Sequence, residues 1–216
     1  MESIIELARA MADRHPTRHV LIASLGEGAR LAAEAFRGDY LVHAIGNVGG
    51  DADAETAASI ERLGRAGVHV HLLPHSLFQA VTKGGRYTSG DAVYTFTGDS
   101  FHGLTLDSLI AKARTDAYSG VFQVLYQTLQ SLFSDGPRMC VEIALMAADA
   151  GVIPTDEDII SIDRPMPESN CPHAAMLLRP STSQDLLNSN RFRVKQLITV
   201  PGYHDRWFTD GHIWSG

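Results

Sequence analysis

The sequence predicts a three-layer α/β/α fold with a mostly parallel sheet, and three features of the chain support this fold class. Strand and helix patterns alternate between His19 and Leu73 with short connections, which is typical of parallel strands joined by crossover helices. An apolar helix rich in alanine is predicted over Arg138–Ala150. Two short apolar runs follow it, Ile159–Ile162 and Ala174–Leu178, and we interpret both as buried parallel strands.

The first third of the chain provides an opening helix and the first strands of the sheet. Apolar residues recur in the opening segment at the spacing of an amphipathic helix, at Ile4, Ile5, Leu7, Ala8 and Met11. We predict strands over His19–Leu25, Tyr40–Ile45 and Val68–Leu73, with helices over Ala29–Phe36 and Asp53–Ala66 between them. Glycines follow both helices, at Gly38 and Gly67, as expected of residues that readily adopt the left-handed conformation at a helix end.

The regular alternation stops after the third predicted strand. The segment Lys83–Gly103 is rich in glycine and threonine and is predicted to form a loop or a small β excursion. The remaining predicted elements are two helices, Thr105–Thr115 and Tyr118–Phe133, and a last strand, Val194–Val200. We therefore predict one α/β domain over residues 1–202, with an insertion-like segment at 83–103, and a tail at 203–216 that contains Trp207 and Trp214.

Composition limits the classes of protein that fit this chain. The formal net charge of -7 argues against a nucleic-acid-binding protein, because neutralising phosphates requires clustered Lys and Arg. No run approaches the roughly 20 apolar residues that a membrane-spanning helix needs, so no membrane partner is expected. Two cysteines, Cys140 and Cys171, are too few for a disulfide framework. Since the opening segment has no long apolar core, we expect a cytoplasmic protein.

Ligands of open parallel sheets bind beyond the carboxyl ends of the strands, and this rule selects four loops as candidate sites. The first contains Ser24, Gly26 and Gly28, and the N–H groups that open the following helix suit a phosphate; a plain turn is the alternative. The second, after the next strand, contains Asn47 and Gly49. Its glycines allow a ligand close to the backbone, although a flexible connection explains them equally well.

The other two candidate loops follow later strands. In Asp163–His173, Arg164 has the chemistry to pair with a phosphate, and a long surface loop is the alternative. The last loop begins with Arg179, which places a cation just past a predicted strand. Its hydroxyl residues Thr182 and Ser183 have a simpler interpretation, because either one is a favoured cap for a short helix.

Two carboxylates stand on the otherwise apolar helix near the middle of the chain. Glu142 and Asp149 are seven residues apart, which puts them on one face about two turns apart. A buried carboxylate without a partner is costly, so each residue should form a structural ion pair or reach a ligand. The sequence leaves both interpretations open.

Histidines raise the question of a metal site. His69 and His71 alternate along one predicted strand and therefore face the same side of the sheet. Zinc needs further ligands in tetrahedral order, and the sequence has neither an HExxH motif nor a cysteine pair beside them. We therefore predict no metal site.

Several blocks of the chain resemble a known family. The resemblance rests on CVEIALMAADAGVIP, on the strand end LLRP and on VKQLITVPG, with VLIASLGEGARLAAEAF and YLVHAIGN in matching order. In these blocks the chain is similar to uncharacterised stand-alone proteins related to the carboxy-terminal domain of pyruvate kinase. The likeness covers most of Val20–Pro201 apart from Lys83–Gly103. The catalytic barrel of pyruvate kinase is absent, so the resemblance does not imply that enzyme's activity.

The resemblance implies a sheet with helices on both sides, self-association into a homo-oligomer, and a pocket at the strand ends for a phosphorylated ligand. Some stand-alone relatives look like flavin mononucleotide binders, which makes this the candidate cofactor, although the cofactor stays open. The residues that match by position are Ser24, Gly26, Asn47, Glu142 and Asp149. The chain departs from the family where a glycine-rich GGRSxGADT-like loop is expected and DRPMPESNCPH stands instead, which removes expected phosphate or flavin contacts.

Function is therefore predicted at the level of class. The first hypothesis is a small-molecule-binding protein whose partner is a phosphate-bearing molecule or nucleotide held at the strand ends. The second is an enzyme of unknown reaction that uses Glu142, Asp149 or a histidine such as His43 or His173 as its acid or base. The third is a structural or regulatory subunit of an assembly, anchored by the aromatic tail 203–216.

Overall fold

The protein has a mixed α/β fold in a computed structural model that describes residues 3–47, 54–73, 85–89, 92–96, 128–129, 132–133, 135–165, 172–186 and 191–199. The helices are α1 (Ile4–Ala12), α2 (Glu27–Ala35), α3 (Ala54–Arg65) and α4 (Asp135–Asp149). The strands are β1 (Thr17–Ile22), β2 (Leu41–Asn47), β3 (His69–Leu73), β4 (Gly85–Ser89), β5 (Ala92–Phe96), β6 (Asp158–Ile162), β7 (Ala174–Arg179) and β8 (Arg193–Thr199). A 3-10 turn spans Ser183–Asp185.

Six strands form one mixed sheet in the order β3-β2-β1-β6-β7-β8. The first four are parallel to one another, whereas β7 runs antiparallel to both of its neighbours. The prediction that Ala174–Leu178 is a parallel strand is therefore wrong. Only residues 163–173 separate β6 from β7, and a parallel crossover needs about a dozen residues or more. A strand buried on both faces is apolar throughout and lacks the alternation of apolar and polar residues that is common in antiparallel strands. The composition of β7 therefore does not reveal its direction.

Helices cover both faces of this sheet. Helix α4 packs against β6 and β7 on one face, through the core that contains Leu145, Ile159 and Met176. The other face carries α1, α2 and α3 and a second core that includes Phe36 and Ile160. Side chains of α4 are buried all around the helix from Asp135 to Ala148, and the buried charged residues among them, Asp135, Arg138 and Glu142, pair with one another.

Helix ends in the described chain follow local chemistry. Ser3 and Glu6 form a reciprocal capping box at the start of α1, which satisfies donors that the first turn leaves open. Gly151, with φ +67°, follows the end of α4, in the conformation that glycine adopts without steric cost. Among the described residues, none of the helices combines the length and the hydropathy of a membrane-spanning segment.

Several boundaries differ from the predicted ones. β1 ends at Ile22, so residues 23–25 already belong to the connection, and α2 begins at Glu27, which places Gly28 inside the helix. Helix α4 starts at Asp135, three residues before its predicted start. Within the insertion-like segment, β4 and β5 form an antiparallel pair.

Some predictions lie outside the described residues. The predicted helix Thr105–Thr115, the tail 203–216 and Gly49 all fall there. Of Tyr118–Phe133, the structure describes 128–129 and 132–133, which are helical.

Candidate functional site

The carboxyl ends of four parallel strands meet at one edge of the sheet, which we call the carboxyl edge. It is formed by the last residues of β1, β2, β3 and β6, and β7 begins there because it runs in the opposite direction. The N–H group of Ala23 donates to the carbonyl oxygen of Ile162 at 3.1 Å, so the chains that leave β1 and β6 start side by side. Loops from separate parts of the sequence are therefore adjacent here.

The first predicted loop opens helix α2 at this edge. Gly26 is the residue before the helix and provides no side-chain cap, while the Ser24 hydroxyl accepts the N–H of Gly26 at 3.2 Å. The N–H groups of a first helical turn have no partner within their own helix. Glu27 lies in this turn, and its carboxylate pairs with Arg30 at 2.5 Å, which reduces the repulsion that it exerts on an anion.

Gly28 joins the first predicted loop to the third. A Cβ atom at this position would lie 2.4 Å from Cγ of Pro165 and 3.2 Å from the Ser24 hydroxyl. A side chain does not fit there without displacing Pro165, so the α2 turn and the chain after β6 are in direct contact. This contact brings Arg164, the residue before Pro165, to the same edge as Ser24.

Arg164 places a half-exposed cation at the carboxyl edge. About half of its side chain is exposed, at 53%, and its guanidinium lies 3.5 Å from one oxygen of Asp135. This contact is long for an ion pair, so the guanidinium remains accessible to a ligand.

Beneath Arg164 lies a buried group of charged side chains, which we call the acidic cluster: Asp135, Arg138, Glu142 and Asp163. The Arg138 guanidinium donates to Asp135 and to Glu142, each at 2.7 Å, and the Glu142 side chain is only 1% exposed. Of the two interpretations of Glu142, the geometry agrees with the structural ion pair. Asp135 and Arg138 were not singled out from the sequence. The signal was available, because Asp135 and Glu142 lie three and four residues from Arg138, which is the helical spacing of ion pairs.

Asp163 follows β6 directly and is 2% exposed. Its Oδ1 atom accepts the backbone N–H of His173 at 2.9 Å. Gly136 allows the close approach, since a Cβ there would lie 2.6 Å from Oδ2 of Asp163. Burial raises the pKa of Asp163 to about 7, and the charge of Asp135 adds to this effect, against hydrogen bonds from Ala174 and His173 that lower it.

Asp163 was not singled out from the sequence. It was part of a predicted candidate loop, but its contacts come from α4 and β7, which are distant along the chain. A carboxylate directly after an apolar strand was the available signal.

Two predicted site residues, Asp149 and Arg179, lie at the opposite edge of the sheet, the amino edge. Because β7 is antiparallel, it ends beside the start of β6, and Arg179 binds Asp158 at 2.7 Å. Asp149, at the end of α4, accepts the backbone N–H of Ser183 at 2.7 Å and its hydroxyl at 2.5 Å. The structure therefore does not bring these two residues together with Ser24 or Arg164.

The interactions at the amino edge are structural. Burial raises the pKa of the Asp149 carboxyl, while its hydrogen bonds from Ser183 lower it. Thr182 precedes the 3-10 turn without making a side-chain capping bond, so the predicted capping role of Thr182 is wrong. Ser183 instead uses its hydroxyl to bind Asp149.

Asn47 ends β2 at the carboxyl edge, and β2 pairs with β1, the strand that precedes Ser24. The predicted loop residue Asn47 is therefore the last residue of the strand, two residues beyond the predicted strand end at Ile45. Its side chain lies outside the described part of the structure, as do the glycines after it.

Histidines from three strands form a row on the α4 face of the sheet. Nδ1 of His19 lies 3.0 Å from Nε2 of His43, and Nδ1 of His43 lies 3.1 Å from Nε2 of His71. Burial, followed by the neighbouring rings, lowers the pKa of His43 to about 3. His43 lies inside β2 rather than in a loop. Within the described ranges, no group of three or more His, Cys, Asp or Glu has the arrangement to hold a metal ion.

Comparison with known proteins does not identify the chain. No family model matches it, and no curated protein matches it.

Proposed function

We propose that the protein binds a small molecule through a phosphate group at the carboxyl edge, beside the first turn of α2. The observation that carries this proposal is the start of α2 at Glu27, where the preceding residue Gly26 provides no side-chain cap and residues 23–26 connect the helix to the central parallel strand β1. Backbone N–H groups at such a position point out of the helix, and the helix dipole favours a negative charge there.

Charged residues around the turn support an anionic ligand. Glu27 is neutralised by Arg30 at 2.5 Å, so the turn keeps little net negative charge. Arg164 has a guanidinium of which about half of the side chain is exposed, at 53%, and a guanidinium binds a phosphate with two parallel hydrogen bonds. The ligand that fits these groups is a phosphorylated metabolite or a nucleotide, with flavin mononucleotide among the candidates.

The resemblance of the sequence extends this proposal. We propose a relationship to the stand-alone proteins similar to the carboxy-terminal domain of pyruvate kinase, with the same fold and with self-association in the cytoplasm. Ser24 and Gly26 are the matching positions that lie beside the proposed phosphate. Glu142 supports the site indirectly, because it holds Arg138 in place beneath it.

Thermal unfolding with inorganic phosphate, sugar phosphates and flavin mononucleotide tests this proposal, because a ligand that binds the folded state raises the melting temperature. At ligand concentrations of about 100 times Kd the stabilisation is about 2.7 kcal/mol. Arg164→Gln should weaken binding by about tenfold or more, as expected for loss of a charge-assisted pair. Arg14→Gln is the matched control, since Arg14 is an exposed arginine before β1, at the amino edge.

The proposal predicts a clear difference between these two variants. Equal ligand-induced shifts in Arg164→Gln and Arg14→Gln would place the ligand elsewhere. The absence of a shift with all three ligand classes would contradict phosphate binding itself.

Asp163 favours a second function, acid–base catalysis at the same edge. A general acid or base works best when its pKa is near the working pH, and burial raises the pKa of Asp163 to about 7. Glu142 is held in an ion pair and Asp149 lies at the amino edge, so Asp163 replaces them as the candidate for this role.

A screen of phosphorylated metabolites for turnover tests this second function. If a reaction is found, Asp163→Asn should reduce kcat by about 100-fold or more, because a positioned acid or base contributes at least that much. Asp156→Asn changes an exposed carboxylate at the amino edge and should leave kcat unchanged. Equal rates in the two variants would exclude Asp163 as the acid or base.

A further inference from the structure

The histidine ladder, defined as His19, His43 and His71, joins three adjacent parallel strands through their side chains. The rings of His19 and His43 stack with centroids 5.2 Å apart, and those of His43 and His71 with centroids 5.3 Å apart. Each neighbouring pair also makes one N···N hydrogen bond, at 3.0 Å and 3.1 Å. The central ring, His43, is 5% exposed, so its hydrogen-bonding nitrogens depend on the two outer rings.

The strand register explains the arrangement. His43 lies opposite Leu21 on β1 and opposite His69 on β3. The ladder therefore runs diagonally across the sheet. His43 bonds to His71, two residues after its direct partner His69, and to His19, two residues before its direct partner Leu21. His69 stacks on His43 with centroids 5.3 Å apart but takes no part in the two hydrogen bonds.

Protons on the ladder can be counted from the chemistry of imidazole. A neutral ring carries one N–H and one acceptor nitrogen, and a charged ring carries two N–H groups. Each of the two hydrogen bonds holds one proton, and each end of the ladder has room for one more. The three neutral rings supply three protons for these four places, so a single added proton fits without breaking a hydrogen bond.

A second added proton does not fit. It forces two N–H groups to face each other across one of the bonds, and an N–H group is not an acceptor. Two positive charges would then also share a stacked row of rings. The ladder therefore responds to the second proton rather than to the first.

Among the described residues, few charged groups favour a positive charge on the ladder. Glu157 favours a charge on His19, whereas Arg18 and His69 disfavour it. His69 also disfavours a charge on His43 and on His71. Glu157 is the one described carboxylate that acts on the ladder, and it acts only at the β1 end.

We propose that the histidine ladder is a pH-sensitive switch on strand β3, which stays bound to β2 while the ladder holds no added proton or one and is released when a second proton binds.

Strand β3 is the element that a broken ladder would release. It is five residues long, lies at the edge of the six-stranded sheet and pairs only with β2 among the described strands. His69 and Leu72 are exposed, and no described residue of β3 is fully buried. Edge segments with few buried contacts open most easily in folded proteins.

The pH range follows from the direction of the shifts. Burial is the main factor that lowers the pKa of His19, His43 and His71, to about 3 for His43. Because the folded protein binds these protons less readily than the unfolded chain, the ladder stabilises the fold above about pH 6.5. This contribution decreases as the pH falls from there towards the pKa of His43.

Histidine NMR combined with amide exchange tests the switch in the full chain. Proton uptake by each ring is followed from its ¹⁵N shifts, and protection factors are measured for the β3 amides with β6 amides as the reference. We expect β3 protection to persist after the first proton and to fall by on the order of tenfold with the second, as loss of about one hydrogen bond implies. Loss of protection with the first proton, or none after the second, would overturn the proposal.

A pair of variants on one strand makes the test specific. In His71→Gln the second proton has to bind the buried His43, so the release of β3 should move to a pH at least about one unit lower. His69→Gln is the matched control for the hydrogen bonds, because this ring lies on the same strand and face but outside them. Since the charge of His69 disfavours charges on the ladder, its loss should move the release towards higher pH rather than lower pH. An equal shift of the release in both variants would show that the ladder is not the cause.

Discussion

Single residues at the carboxyl edge combine opposite charges within a small buried volume. Arg138 is shared by two carboxylates at 2.7 Å each, and a buried charge is tolerated only when it is paired in this way. Asp163 lies beside this group, and the described cation that acts on its carboxyl group, Arg164, has a half-exposed side chain. Burial raises the pKa of Asp163 to about 7, which is the usual direction for a desolvated carboxyl group.

This interpretation predicts the pH dependence of Asp163→Asn. The raised pKa of Asp163, about 7, means that the folded state holds a proton that the unfolded chain has already released. The stabilisation is complete below the unfolded pKa of about 3.9 and is lost as the pH rises to about 7. Asparagine mimics the protonated acid, so the variant should gain stability relative to the natural protein on going from about pH 5 to about pH 8, by on the order of a few kcal/mol.

Urea unfolding at both pH values measures this difference. Asp156→Asn serves as the control, because Asp156 is exposed and should show no such gain. A pH profile that Asp163→Asn leaves unchanged would mean that Asp163 is ionised in the folded protein.

At the scale of elements, local patterns predicted much of the fold. The alternation of helix and strand led to the parallel unit β1, β2 and β3, because each of these strands is followed or preceded by a helix within a short distance. The direction of β7 was not predictable in the same way. All of its residues up to Leu178 are buried, so its sequence is uniformly apolar whichever way it runs.

The same limit explains which parts of the site were found. Ser24 and Gly26 lie in the short connection after β1, and a general rule about strand ends was enough to select them. The contacts of Asp163 with Gly136 and His173, and the row from His19 to His71, depend on strand order and on residues far apart in sequence. No local spacing encodes them.

At the scale of the whole molecule, the two edges of the sheet have different chemistry. The amino edge is closed by structural pairs, in which Asp158 binds Arg179 at 2.7 Å and Lys195 at 2.5 Å. The carboxyl edge carries a helix start without a side-chain cap, a half-exposed arginine and a buried acid whose pKa is raised to about 7. This asymmetry is the reason that we propose the ligand site at the carboxyl edge. Self-association and an anchoring role of the tail 203–216 remain predictions from the sequence.

The most direct measurement of the central claim is an NMR titration of the ¹⁵N-labelled full chain with inorganic phosphate. We predict saturable shifts of the backbone N–H signals of Gly26, Glu27 and Gly28, together with the side chain of Arg164. The signal of Ser183 at the amino edge should stay in place. Shifts confined to Ser183 and its neighbours, or a linear drift without saturation at the start of α2, would contradict a phosphate site at the carboxyl edge.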